Sequence, residues 1–235
     1  VTTDGWERLA PGVARRRLPF LDVTIGVVTG DDGVLVIDTG STLAEGARLR
    51  KQITALTGRP VTHIALTHGH FDHVFGAAAF PGVQIHGGVT LDTYLDRERP
   101  SLPRDAVAYG ADPTSAAEAA AALVRPGNLV AGHHELDLGG RHVLLVHPGA
   151  GHTTHDLAVL VPGTPPVVFC GDLVEESGEP QAGPDASPAD WPATLDELLR
   201  LGGDGALYVP GHGAVVDARF VRAQRDALAA RFRPS

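Results

Sequence analysis

The stretch Val61-Thr62-His63-Ile64-Ala65-Leu66-Thr67-His68-Gly69-His70-Phe71-Asp72-His73 passes from an apolar run straight into four side chains of metal-ligand type. The run over 61–66, entered after Pro60, predicts a strand. His68, His70, Asp72 and His73 then fall within six residues. Imidazole and carboxylate are the donors that zinc and similar divalent ions accept when thiolate is scarce. Two histidines at i and i+2 beyond a strand can face one ion. A turn or helix start then lets Asp72 and His73 point to a second. A solvated histidine-rich loop is the bland alternative, and it does not explain why the cluster follows the strand directly.

Three more residues of the same kind occupy equivalent places. His152 follows a strand predicted over 141–146, Asp172 one over 167–171, and His212 one over 206–209, each with glycine beside it. Loops at one end of a sheet converge, and ligands collect there. Around these points short apolar strands alternate with helices. Strands are predicted at 21–28, 33–37, 83–86, 135–138 and 157–161, and helices at 42–56, 115–124, 194–201 and 217–232. The polar stretch 90–99 has weaker helical character. The order predicts a mixed α/β sandwich, sheets covered by helices, as one domain over 1–235. Residues 88–127 read as an insertion over one face. The Pro- and Gly-rich loop 178–192 is long enough to expect a functional role.

Composition narrows the field. The chain has 235 residues, 43% of them hydrophobic, enough for a sizeable core. One cysteine, Cys170, excludes a disulfide framework and any multi-cysteine zinc site. A formal charge of −9 argues against a nucleic-acid partner held by a broad basic surface. No run approaches a membrane span, and Arg15-Arg16-Arg17 has no apolar run after it, so no membrane partner or secretory signal is read. A cytoplasmic protein acting on a small molecule is the expectation. Its oligomeric state is not written in these motifs.

The residues reach a resemblance here. Val36-Ile37-Asp38-Thr39-Gly40, Thr67-His68-Gly69-His70-Phe71-Asp72-His73, Gly151-His152-Thr153-Thr154-His155-Asp156, Phe169-Cys170-Gly171-Asp172 and Pro210-Gly211-His212-Gly213 resemble, in order, the motifs of the metallo-β-lactamase superfamily. The resemblance implies an αββα four-layer sandwich with a metal site at one edge. It implies that His68, His70 and His152 hold one ion, that Asp72, His73 and His212 hold another, and that Asp172 bridges them. Asp38 would act from behind a ligand histidine, and a helix N-cap is its plainer alternative. Two divalent ions are implied, zinc first, with iron or manganese as alternatives. Such a pair lowers the pKa of a shared water towards roughly 7, so a bridging hydroxide forms at neutral pH. Asp72 or Asp172 would take or orient the proton.

The acid at 172 is more like the glyoxalase II, lactonase and ribonuclease Z branches than the zinc β-lactamases, which place Cys or Ser near this point. Only 23 residues follow His212, too few for the helical part that binds the thioester in glyoxalase II. Ribonuclease Z would need a basic surface. The expectation is therefore a hydrolase of a small ester, thioester or lactone. A mononuclear iron persulfide dioxygenase, a β-lactam hydrolase and a non-catalytic metal-binding module are the alternatives. The dioxygenase's Gly-Arg-Thr-Asp-Phe run does not follow Asp172. Phe71, Tyr94, Tyr109 and Trp191 are candidate lining aromatics, ordinary packing being the default for each. Of the remaining histidines, His63 reads as packed or partly exposed, and His133, His134 and His142 as solvent-facing. His86, His147 and His155 are candidates for contact with the site or its ligands. Cys170, two residues before Asp172, should share its side of the strand and lie deeper.

Overall fold

Strands that are apolar on both faces need cover on both sides. The computed structural model, which describes residues 2–3 and 5–232, meets that need with two sheets face to face and helices on both outer sides. The first sheet holds β1 (Thr2–Thr3), β2 (Trp6–Ala10), β3 (Val13–Arg17), β4 (Thr24–Thr29), β5 (Val34–Ile37), β6 (His63–Leu66), β7 (Gln84–Gly88) and β8 (Asn128–Val130), side by side in that order. Neighbours are antiparallel as far as β5 and parallel beyond it. The parallel part needs crossovers. These are α1 (Leu43–Thr57), then α2 (Phe71–Val74) with a 3-10 turn at Ala77–Ala79, then α3 (Leu91–Glu98), α4 (Leu102–Ala108) and α5 (Pro113–Ala121). The second sheet runs β13 (Leu207–His212), β12 (Val167–Glu175), β11 (Ala158–Val161), β10 (His142–Val146) and β9 (His133–Asp137). Only β12 and β13 are parallel, joined through α6 (Trp191–Gly202), and α7 (Ala218–Arg231) follows β13.

Side-chain alternation produces the four layers. In β5 and β6, Leu35, Ile37 and Ala65 join Val143, Leu145, Val159, Phe169 and Val209 in the core between the sheets. Their neighbours Val34, Val36, Ile64 and Leu66 face outward against Leu49 and Ile53 of α1 and against Leu91, Leu95, Ala106 and Ala119 of α3–α5. On the other side Ala158, Val168 and Cys170 pack under Trp191, Leu195 and Leu198 of α6 and Val221 and Leu228 of α7. The helices within 88–127 thus share one apolar cluster with α1.

Several elements differ from expectation. β2 and β3 were hidden because arginines obscure their alternation. Arg15 is 4% exposed, its charge met by Glu7 (2.7 Å) and the Gly213 carbonyl (2.9 Å). Helix α4 lies between the stretches expected to be helical. Pro103 sits in its first turn, where a missing N–H costs no hydrogen bond. Asp38 is not an N-cap; Thr42 caps α1 by accepting from the Glu45 N–H (3.0 Å). Strand β12 runs on past Gly171 to Glu175, so Asp172 lies within it. Gly171 has φ +55°, and the pairing with β13 slips there. That break overturns the expected shared side of Cys170 and Asp172. Cys170 packs with Leu173 and Val174 under the helices, while Asp172 turns to the histidines.

Candidate metal centre

The histidine motif occupies the C-terminal end of β6 and the start of α2. His152 comes from the β10–β11 loop, Asp172 from β12 and His212 from the end of β13. Cross-loop bonds tie these pieces together. Leu157 N–H donates to the Thr67 carbonyl (2.7 Å), and Gly69 N–H to His155 Nε2 (3.1 Å). The Asp156 carboxylate closes the His152 loop by accepting from the Thr153 N–H and hydroxyl (2.9 and 2.7 Å). Close approach also has a sequence cause at Gly211: a Cβ there would stand 1.8 Å from Asp172 Oδ1.

All seven expected ligands meet in two adjoining groups. His68, His70, His152 and Asp172 each offer a donor atom within 4.8 Å of all the others, and so do Asp72, His73 and His212. Asp172 touches both groups. Its Oδ2 is 3.7 Å from His68 Nε2, 3.5 Å from His152 Nε2 and 3.3 Å from His212 Nε2, and its Oδ1 is 3.4 Å from His73 Nε2. Asp72 Oδ2 lies 3.5 Å from His73 Nε2 and 3.4 Å from His212 Nε2.

The outer partner of each ring decides what faces inward. A carbonyl or carboxylate only accepts, so the ring nitrogen beside it carries the hydrogen. His152 Nδ1 donates to the Gln181 carbonyl (3.0 Å) and His212 Nδ1 to the Leu21 carbonyl (2.7 Å). His73 Nδ1 donates to Asp38 Oδ2 (2.8 Å), and His70 Nε2 to Asp185 Oδ2 (3.1 Å). The Thr67 hydroxyl donates to Asp38 Oδ2 (2.7 Å), so its oxygen is left to accept from His68 Nδ1 (3.1 Å). Asp38 also accepts from the Thr67 N–H (2.8 Å). This one carboxylate therefore sets a histidine ring in each group. It is 1% exposed and holds φ +60°, a left-handed backbone that Asp tolerates better than most residues.

Lone pairs are left facing lone pairs. His70 Nδ1 stands 3.1 Å from His68 Nε2 and 3.0 Å from His152 Nε2. His73 Nε2 and Asp172 Oδ1 are both buried without a hydrogen-bond partner. Positive charge between such atoms, a metal ion or a proton, makes the arrangement favourable. Donors about 2.0–2.2 Å from one tetrahedral zinc-type ion stand roughly 3.3–3.6 Å from each other. The contacts within the groups, 3.0 to 3.7 Å, match that spacing. The residues present thus fit divalent metal in both groups.

Protonation follows the same logic. Burial opposes charge on His73 and His212, but the surrounding carboxylates, Asp172 foremost, outweigh it. They raise His73 to about 9 and His212 to about 11, so a proton takes the place of a cation. Burial holds His68 well below the usual value and His152 at about 4. Burial also works against the Asp172 charge, yet His212, His73 and His68 keep its carboxyl well below the ordinary range.

Other expectations divide. Asp185 and the Gln181 carbonyl, both in the 178–192 loop, fix His70 and His152, so that loop positions two of the expected ligands. Asp185 was missed because a lone loop acid carries no motif. His155 is a bonding partner of the ligand loop, as above. His147 Nδ1 bonds the Asp156 carbonyl (2.8 Å) and no ligand. His86 lies away from the ligands, its ring beside His63 and His134. His133, His134 and His142 are exposed and His63 is half-buried, as expected. Trp191 and Tyr94 are core residues, and Phe71 is buried against the ring of Tyr109 (6.0 Å). Tyr109, 61% exposed, is the accessible aromatic of the four.

Comparison with known proteins agrees with this geometry. Residues 18–212 match the family described as the metallo-beta-lactamase superfamily. The chain is 28% identical over 218 residues to a hydroxyacylglutathione hydrolase of Cupriavidus metallidurans, covering 88% of this chain and 70% of that protein. Among solved structures, a metallo-beta-lactamase from Pontibacter korlensis superposes with a TM-score of 0.73 at 20% identity, covering 95% of this chain and 97% of that one. A metallo beta lactamase from Hirschia baltica gives 0.70 at 16% identity, covering 95% and 96%. At these identities the two structures speak for the αββα fold alone.

Proposed function

The chain belongs to the metallo-β-lactamase superfamily, and from that premise we propose that it is a metal-dependent hydrolase of a small ester, thioester or lactone. The observation that carries the proposal is the convergence of five imidazoles, each with its outer nitrogen engaged and its inner lone pair turned to the centre. His68, His70, His152 and Asp172 would hold one divalent ion, and Asp72, His73, His212 and Asp172 a second, zinc first in each. When bound, such ions lower the pKa of a shared water and polarise the oxygen that becomes negative.

The chain's own residues do the rest. Asp72 turns Oδ2 to His73 and His212, which leaves Oδ1 to accept the proton of the attacking water. Asp172 orients that water from between the two groups. Asp38 and Asp185 keep the ligand rings in one tautomer, so no reorganisation is needed during the reaction. Tyr109, over Phe71, offers an aromatic wall for the acyl side of a substrate. The likeness to a hydroxyacylglutathione hydrolase favours a thioester among the three classes. No helix among the described residues is long and apolar enough to cross a membrane, and a cytoplasmic setting forms part of the proposal.

A panel of a hydroxyacyl thioester, an aryl ester, a lactone and a β-lactam, run on metal-stripped and on zinc-, manganese- and iron-loaded protein, tests this reading. Cleavage of one of the first three, lost on chelation and restored by metal, is expected. Bound metal with no hydrolysis across the panel, or iron-dependent oxygen uptake with a persulfide, would overturn it.

A further inference from the structure

One more carboxylate reaches this centre and belongs to none of the motifs. Glu175 lies three residues beyond Asp172 on β12, paired in register with His212 on β13. It is 8% exposed. Donor atoms of Asp172, Glu175 and His212 lie within 4.8 Å of one another. Its Oε1 accepts from the Ser177 hydroxyl (2.7 Å), which leaves Oε2 uncommitted to that bond. Its backbone N–H is held by the buried Gln224 Oε1 (3.0 Å), while Gln224 Nε2 donates to the Leu173 carbonyl (2.8 Å). Helix α7 thus spends a buried amide on fixing the piece of strand that carries Glu175. Two buried atoms without a partner lie around it: Asp172 Oδ1, in this same trio, and His73 Nε2, in the adjoining group of Asp72, His73 and His212, which shares His212 with it.

The two groups then differ in chemistry. The first has three imidazole nitrogens and one shared carboxylate. The second has two imidazoles, Asp72 and the shared Asp172; with Glu175 its oxygen donors outnumber its nitrogens. Carboxylate oxygen suits manganese-type ions, whereas imidazole suits zinc. We propose that Glu175 is a carboxylate donor to the second metal position and biases that position toward an oxygen-seeking divalent ion, manganese(II), relative to the first. The proposal rests on the two-metal reading above.

The test is equilibrium competition between manganese and zinc on the full metal-stripped chain. Metals are counted by mass spectrometry, and bound manganese is followed by electron paramagnetic resonance. The unaltered chain should retain one equivalent of manganese at zinc concentrations that already displace it from the other position. Glu175→Gln should weaken that manganese equivalent at least tenfold and leave the first zinc unchanged. Ser177→Ala, which keeps the carboxylate, should retain the manganese. Equal manganese affinity in Glu175→Gln would overturn the inference, as would an equal loss in Ser177→Ala, which would mark a structural role. If Glu175→Gln loses its native circular dichroism, the unaltered chain decides, and zinc displacing manganese equally at both positions overturns the inference. A chain that binds no metal at all sinks the two-metal reading. Two bound metals indifferent to Glu175 sink only this inference.

Discussion

Replacing Asp38 by Asn should weaken metal binding in both groups while leaving the fold intact. Asn matches Asp in size and tolerates the same left-handed backbone, so φ +60° is no obstacle. The hydrogen bonds are another matter. If the amide NH2 takes the place of Oδ2, it meets His73 Nδ1 and the Thr67 hydroxyl. His73 must then accept at Nδ1 and carry its hydrogen at Nε2. Thr67 must turn its hydrogen to His68 Nδ1, which moves that ring's hydrogen to Nε2 as well. Both ligands would present N–H where a lone pair is needed. If the NH2 takes the place of Oδ1 instead, it opposes the Thr67 N–H, donor against donor, at a cost of about 1–3 kcal/mol. Loss of such an outer partner typically costs about 10–100-fold in metal affinity, or roughly 1.4–2.7 kcal/mol. His73 is bonded directly and His68 only through Thr67, so the second group should lose more than the first. Competition against a chromophoric chelator measures both constants, and circular dichroism checks the fold. Affinities within about twofold of the unaltered chain would refute the tautomer account.

Other substitutions probe other parts. Asp185→Ala frees His70 Nε2 and should weaken the first-group ion by about 10–100-fold, with the second little changed; chelator competition separates the two. Gly211→Ala drives a Cβ to 1.8 Å from Asp172 Oδ1 and should strip metal from both groups at an overpacking cost of about 1–3 kcal/mol, read as metal content and thermal midpoint. With His73 raised to about 9 and His212 to about 11, the metal-free chain carries both protons at pH 7.5. Metal binding there should release about two protons, measured with an indicator in weak buffer. These raised values also set the stability profile of the metal-free chain. The contribution of both rings is fully present below the ordinary histidine pKa of 6.5 and is lost as pH rises through about 9 and then 11. Its thermal midpoint should therefore fall across that window, while that of the metal-loaded chain should not.

The sandwich and the clustering of the candidate donors were legible because each leaves a local trace. Strands buried on both faces are continuous apolar runs, and the candidate donors sit where those runs stop. What was hidden depends on distant partners. Arg15 reads as surface until Glu7 and the Gly213 carbonyl are seen beside it. Asp185 is one acid in a loop until folding brings it to His70, 115 residues away. The relation of Cys170 to Asp172 was misread because strand alternation holds only while the backbone stays extended, and Gly171 breaks it. Trp191 stood in a loop expected to carry function, yet its indole N–H bonds the Leu173 carbonyl and its ring is wholly buried.

The count of tightly bound metal per chain tests the central claim most directly. Protein purified under zinc-replete conditions and freed of loose ions by gel filtration should carry close to two divalent ions. Asp172→Ala, which removes a carboxylate lying against histidines of both groups, should lower that number with the fold retained. Less than one tightly bound ion in the unaltered chain would contradict the account.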